Sequence, residues 1–261
     1  MKLSEWLEHI SLQHSKTIDM GLDRMREMVG RLDLERPAEK VVTVAGTNGK
    51  GSAVIATESL LLSAGMSVLS SISPHVKIFN ERIRINGEEA SDLDICSAFQ
   101  SIDEARLLDR ELPLTYFEYS ALASLYLAKM KKVNVAIFEI GLGGRLDAFN
   151  VIDAHSAVIT SIGYDHMEFL GNNLESIGRE KAGILRPDQR VVLGPDMPES
   201  VTEYCDKLDL SPRTYGEDFV ADSSSLSQRW NLKGDSYYIA DIPLTNLAPQ
   251  NIAIAFETAN T

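Results

Sequence analysis

The residues with the most chemistry in them are Ala45-Gly46-Thr47-Asn48-Gly49-Lys50-Gly51-Ser52, which follow the apolar run Val41-Val42-Thr43-Val44. Glycines let backbone N–H groups crowd onto an anion, and a helix starting here adds partial positive charge. Lys50 can reach the terminal phosphates of a nucleoside triphosphate, and the Ser52 hydroxyl can hold a metal ion. The general phosphate-loop pattern has a glycine where Val44 stands and a hydroxyl residue directly after the lysine. Here Gly51 separates Lys50 from Ser52. Strand, glycine-rich turn, lysine and helix still come in the order that a phosphate cradle demands.

Open parallel sheets bind ligands beyond the carboxyl ends of their strands. Three more segments stand at such ends: Ser73-Pro74-His75, Glu139 before Gly141-Leu142-Gly143-Gly144, and Asp165-His166. A hydroxyl, a carboxylate and an imidazole from neighbouring strand ends can share one divalent cation. Magnesium prefers oxygen ligands and keeps several waters; a histidine ligand leaves manganese open. Singly, each residue has a plainer role, since a strand-end glutamate often caps a helix and a lone histidine often satisfies a loop. Lys181, in Arg179-Glu180-Lys181-Ala182-Gly183-Ile184, reads as a solvated helical lysine. Asp103-Glu104 with Arg106 reads as a solvated helix face. His9, His14 and His155 stand in no recognisable motif.

Composition limits what these groups can serve. The chain has 261 residues, 44% hydrophobic, enough for one large core or two modest ones. A net charge of −13 argues against a nucleic-acid partner, although ATP phosphates can still meet a local basic site. Cys96 and Cys205 are no disulfide framework, so a reducing cytoplasm is the expected location. No basic segment with a following apolar run opens the chain, and no run reaches the roughly 20 residues that span a bilayer. No membrane partner is expected.

The elements that must position these groups can be read from periodicity. Residues 3–12 and 21–32 carry apolar side chains at helical spacing, with a polar loop at 14–19. Strands are expected at 41–44, 66–71, 80–87, 133–138, 157–162 and 190–193. Helices are expected at 53–64, closed by Gly65, at 93–108, capped by Ser91 or Asp92, and at 117–130, 174–184 and 201–208. Asn86-Gly87 signals a tight turn. Alternating strands and helices predict an α/β fold with a mostly parallel sheet covered by helices on both faces. Residues 211–248 read as a small antiparallel β appendage, and 251–260 as a final helix with no partner.

Taken as a set, these motifs resemble the folylpolyglutamate synthases, a branch of the Mur-ligase-like amide ligases. The phosphate loop of that family tolerates a glycine between the lysine and the serine. Ser73-Pro74-His75, Asn80-Glu81-Arg82, residues 139–147, Asp165-His166 and residues 175–184 are similar to further blocks. The segment from His14 to Leu22 and Leu114-Thr115-Tyr116-Phe117-Glu118-Tyr119 resemble the bifunctional bacterial enzymes, which are also dihydrofolate synthases.

The resemblance implies ATP contacts from Gly46, Thr47, Asn48, Gly49, Lys50, Gly51 and Ser52, and an adenine contact from Asn251. It implies magnesium ligands Ser73, Glu139 and His166, with Ser52 beside them and Lys181, carbamylated, on a second magnesium. Lys50, Glu139, His166 and Lys181 would then be the catalytic set. It implies a dihydropteroate site of Asp19, Met20, Gly21, Leu22, Thr115, Tyr116, Phe117, Glu118, Leu146 and Asp147. The implied activity is ATP-dependent addition of L-glutamate to dihydropteroate or folate polyglutamates through an acyl phosphate, by a monomer. Residues 1–248 would form the ATPase domain, with 1–36 its N-terminal helices, and 249–261 would begin an interdomain helix.

Three departures stand out. Phe149 replaces a usual threonine, with an effect expected on local packing only. Pro249-Gln250-Asn251 is one residue shorter than usual. The family's C-terminal ligase domain, which completes the ATP site and helps bind glutamate, is absent from these residues, so this polypeptide is expected to bind without efficient turnover. Two alternatives stay open: a catalytically silent ATP- or pterin-binding fragment, and a Mur-type ligase of cell-wall precursors. The latter has no need of the Asp19 and Phe117 blocks. Nothing supports a P-loop kinase or GTPase.

Overall fold

The computed structural model describes residues 1–13, 18–222 and 228–260. His14-Ser15-Lys16-Thr17, which opens the N-terminal block, lies outside the described residues. The order is α1 (Leu3–Ser11), α2 (Asp23–Leu32), β1 (Lys40–Ala45), α3 (Lys50–Ser63), β2 (Val68–Ser71), β3 (Ile83–Ile85), β4 (Glu88–Glu89), α4 (Asp92–Arg106) and α5 (Tyr116–Lys131). There follow β5 (Val135–Glu139), β6 (Ser156–Ile159), α6 (Met167–Leu170), α7 (Leu174–Ala182), β7 (Arg190–Leu193) and α8 (Glu199–Lys207). The last are β8 (Arg213–Thr214), β9 (Phe219–Asp222), β10 (Arg229–Gly234), β11 (Tyr238–Pro243) and α9 (Pro249–Ala259).

The main sheet runs β4-β3-β2-β5-β1-β6-β7-β8. It is parallel from β2 to β8, and antiparallel only where β3 meets β2 and β4. β1 is central because its valines serve both faces. Val41 and Ala45 point into one core, Val42 and Val44 into the other. Ala136 and Phe138 of β5 alternate with Val135 and Ile137 in the same way. The first core takes side chains from α1, α2, α4, α5, α7 and α8. The second takes α3, α9 and the small sheet β11-β10-β9, whose Trp230 is fully buried. Each such valine removed from water contributes about 1.5–3 kcal/mol, which pins the central strand and with it the loop at its end.

Local signals set several boundaries. The Ser91 hydroxyl accepts from Asp94 N–H and caps α4. Thr115 and Glu118 form a reciprocal capping box at α5. Asn86 and Gly87 take φ of 52° and 88°, as the β3–β4 hairpin turn requires. Gly65, at φ 83°, follows the C-cap of α3.

Four expectations need correction. α3 begins at Lys50, not Ala53, so the lysine sits in the first helical turn. The strand expected at 80–87 is a 3-10 turn, Phe79–Arg82, followed by two short strands. β8, inside the span read as appendage, is an edge strand of the main sheet. The final helix has a partner, since Ala253 and Ile254 of α9 pack with Ala53 and Val54 of α3 in the second core. Among the described residues, no helix is long and apolar enough to cross a membrane.

Candidate functional site

The sheet order puts a switch point at β1, because its own connection runs through α3 to β2 on one side while β5, its neighbour, connects past it to β6 on the other. Register places Val44 beside Glu139 and Ala45 beside Ile159, so three strands end at one level. A crevice beyond such ends is where open α/β sheets hold ligands.

The phosphate loop fills the centre of that edge. Gly46 has φ 148°, and a Cβ there would stand 2.0 Å from Thr160 Oγ1, so only glycine fits between β1 and β6. Gly49 has φ 83° and caps α3. The loop is tied to the segment after β6. Thr47 N–H donates to Ser161 O at 2.8 Å, Thr160 Oγ1 donates to Asn48 O at 2.7 Å, and Gly163 N–H donates to Thr47 Oγ1 at 2.9 Å. Lys50 Nζ folds back over the loop, donating to Gly46 O at 3.0 Å and Thr47 O at 3.3 Å. Ser52 stands half-buried in the same helical turn. Asn251, at the start of α9, leans on the loop: a Cβ on Gly49 would lie 2.6 Å from its Oδ1.

Glu139 ends β5 on the α3 side of the sheet and is 5% exposed. Its Oε2 accepts from Ser73 N–H at 2.9 Å, and it also accepts from Gly51 N–H. Burial pushes its carboxyl above the usual range, against the pull of those N–H groups and Lys50. Ser73 and Glu139 are therefore adjacent. His166 takes φ 45° in a left-handed turn and reaches the cavity wall that Ser73 also lines, with its ring half-exposed and 3.5 Å from Asp165. His75 turns away, its Nδ1 accepting from Arg82 Nε at 2.7 Å.

Lys181 is not solvated. It is 3% exposed, and its Nζ donates to Gly46 O at 2.8 Å. Burial, helped by Lys50, lowers its pKa to about 8, against Asp165 and Asp147. Sequence reasoning missed this placement because α7 is amphipathic and Lys181 falls on its inner side, where the close approach of Gly144 to the backbone of residues 180 and 181 draws the helix in. The Asp103 group is likewise no solvated face. Arg106 is 4% exposed, and Asp103 accepts from Arg106 Nε and Tyr119 Oη.

Beside the loop lies a cavity of about 270 Å³ lined by Asp19, Met20, Gly21, Ser73, Pro74, Arg82, Thr115, Phe117, Glu118, Leu146, Asp147 and His166, among others. Eight of the ten residues expected to hold dihydropteroate thus share one cavity. Leu22 and Tyr116 do not line it. Leu22 is buried as the N-cap of α2. Tyr116, rotated away at the first position of α5, packs on Phe79 and under Arg82. Asp147 Oδ2 accepts from Gly141 and Leu142 N–H, its Oδ1 accepts from Phe149 N–H, and burial still pushes its carboxyl up to about 6. Phe149 packs against two other rings. It stacks on Phe138 at 4.7 Å and props Phe117, a cavity wall, edge-on at 6.0 Å.

The donor set can be tested against a metal ion. Among the described residues, no three His, Cys, Asp or Glu side chains cluster to make a protein cage. One buried carboxylate beside Lys50, with hydroxyls and an imidazole nearby, fits instead a hard cation that takes its remaining ligands from phosphate oxygens and water.

The profile of the Mur ligase middle domain matches residues 44–247. The chain is 40% identical over 258 residues to the dihydrofolate synthase/folylpolyglutamate synthase of Haemophilus influenzae, covering 97% of this chain and 58% of that protein. Escherichia coli FolC in complex with DHPP and ADP superposes with a TM-score of 0.93 at 38% identity, over 98% of this chain and 61% of that one. A bifunctional folylpolyglutamate synthase/dihydrofolate synthase with Mn, AMPPNP and L-glutamate bound gives 0.88 at 38% identity, with the same two coverages. The chain spans about three fifths of the length of these relatives.

Proposed function

The chain belongs to the Mur ligase middle-domain family, and from that premise we propose that it forms the ATP- and pterin-binding part of a dihydrofolate synthase/folylpolyglutamate synthase, an ATP-dependent amide ligase. The observation that carries this reading is the junction of a phosphate loop and an apolar-walled cavity of about 270 Å³ at one sheet edge, with Ser73 on the cavity wall bonded to Glu139, which also accepts from Gly51 of the loop. The cavity takes dihydropteroate or a folate. Its Phe117 wall suits a flat ring, and Asp147 offers a polar group at depth.

The reaction joins the substrate carboxylate to L-glutamate. The carboxylate attacks the γ-phosphate of ATP, ADP leaves, and the neutral amine of glutamate displaces phosphate from the acyl phosphate. Two anions must meet, so charge neutralisation dominates the barrier. Lys50 would swing from the carbonyls of Gly46 and Thr47 onto the phosphates, and Asn251 would meet the adenine. Magnesium, held by Glu139, Ser73 and His166 with Ser52 near, would neutralise the triphosphate when bound. Lys181, with its pKa near 8, has enough neutral amine to add carbon dioxide. Forming the N–C bond would release one proton and leave a carbamate whose oxygen would hold a second magnesium. The protein would act as a cytoplasmic monomer.

The test is titration of the chain, loaded with AMPPNP and magnesium, with dihydropteroate and separately with a UDP-muramoyl substrate. Binding of dihydropteroate alone is expected; binding of the muramoyl compound alone refutes the reading. Glu139→Gln should weaken magnesium-dependent nucleotide binding roughly 10- to 100-fold, and an unchanged dependence removes Glu139 from the ligands.

A further inference from the structure

One side chain joins both walls of the cavity without lining it. Arg24, in the first turn of α2, places Nη1 2.7 Å from Asp19 Oδ2 and Nη2 2.9 Å from Asp19 O. The same guanidinium places Nε 3.1 Å from Glu118 Oε1, and Nη2 lies 3.0 Å from that oxygen. Glu118 is already engaged, since its Oε2 accepts from Thr115 N–H at 2.7 Å in the α5 capping box. The Glu118 side chain is 5% exposed and that of Arg24 22%. Asp19 and Gly21 form one wall, Thr115 and Glu118 another.

We propose that Arg24 is a positioning residue that sets the width of this cavity, and that Glu118 and Asp19 serve as its anchors rather than as contacts to the bound ring. The proposal rests on the pterin reading of the cavity. A planar fork can engage two carboxylates and a carbonyl in one plane; an ammonium group cannot hold that spacing. Among the described residues, this guanidinium ties the 18–22 loop to α5. That link runs through one charged, largely desolvated group, so the distance between the walls is fixed by the size of the guanidinium. Ring recognition then falls to Phe117 and Asp147, and Arg24 selects ligands by thickness.

Arg24→Met and Arg24→Lys test this in the intact chain by two readouts. In titrations with dihydropteroate, Arg24→Met should weaken binding about 10- to 100-fold, the usual consequence of misplacing a wall by an ångström. Arg24→Lys should recover only part, and AMPPNP affinity should stay unchanged in both. Without ligand, hydrogen exchange at residues 18–22 should speed up in Arg24→Met while exchange in α3 does not. Unchanged exchange at 18–22 overturns the proposal, as does undiminished dihydropteroate binding or a parallel loss of AMPPNP binding, which marks a general fold defect. If wild-type chain binds no dihydropteroate, the pterin reading fails, while the exchange comparison still decides the role of Arg24.

Discussion

Gly49→Ala should damage the phosphate loop in a way that a second substitution repairs. Gly49 holds φ 83°, and a Cβ there meets Asn251 Oδ1 at 2.6 Å, Nδ2 at 3.0 Å and Cγ at 3.1 Å. The left-handed backbone costs an L-residue about 1–2 kcal/mol. Forcing a methyl into a filled space costs about 1–3 kcal/mol more. Gly49→Ala should therefore lower stability by about 2–5 kcal/mol in total. Every clashing atom belongs to one side chain, so Asn251→Ala in the same molecule leaves only the backbone share. Urea unfolding of wild type, both single variants and the double variant gives the coupling directly, expected at about 1–3 kcal/mol in favour of the pair. AMPPNP titration of the same four proteins should show the double variant regaining phosphate contacts but not the Asn251 contact. Strictly additive losses would mean that Asn251 does not rest on Gly49, and the placement of α9 against the loop would fall with it.

Two further outcomes follow from buried polar groups. The Asp147 carboxyl is raised from 3.8 to about 6, chiefly by burial, so the folded chain holds its proton more tightly than the unfolded chain. That contribution, up to about 3 kcal/mol, is complete below about pH 4 and lost as pH rises through about 6; the stability of wild type relative to Asp147→Asn should fall across that window, and a flat or rising difference refutes the assignment. Tyr237→Phe removes the hydroxyl that donates to Glu257, a residue 5% exposed, and should cost about 1–2 kcal/mol in urea unfolding; unchanged stability removes Tyr237 from that contact.

Where apolar side chains repeat over several residues, the sequence was a good guide. β7 falls where the run 190–193 puts it, and β1, β5, α4 and α5 lie within a few residues of their expected bounds. The loop at Gly46–Ser52 was legible because its chemistry is local. Two-residue strands such as β8 carry no period and were not visible. The fate of Lys181 and Arg106 was invisible for another reason: their burial is decided by what packs over them, and helical spacing does not report that. Arg24 and Glu118 are 94 residues apart, and neither hints at the other. Thr160-Ser161, which brace the loop from β6, follow a strand directly, and that position was the available signal.

α9 behaves as a strut clamped at both ends. Asn251 rests on Gly49 at one end, while Glu257 is gripped near the other by Arg213, at 3.3 Å, and by Tyr237. Arg213 in turn holds Asp235 at the tip of the small sheet. Six residues separate Glu257 from Asn251, a lever arm of about 9 Å along the helix axis. A tilt of about 10° about the Glu257 end would carry Asn251 sideways by about 1.5 Å, enough to lift it from the loop. The small sheet, far from residues 46–52 in sequence, thereby sets the angle at which α9 meets that loop.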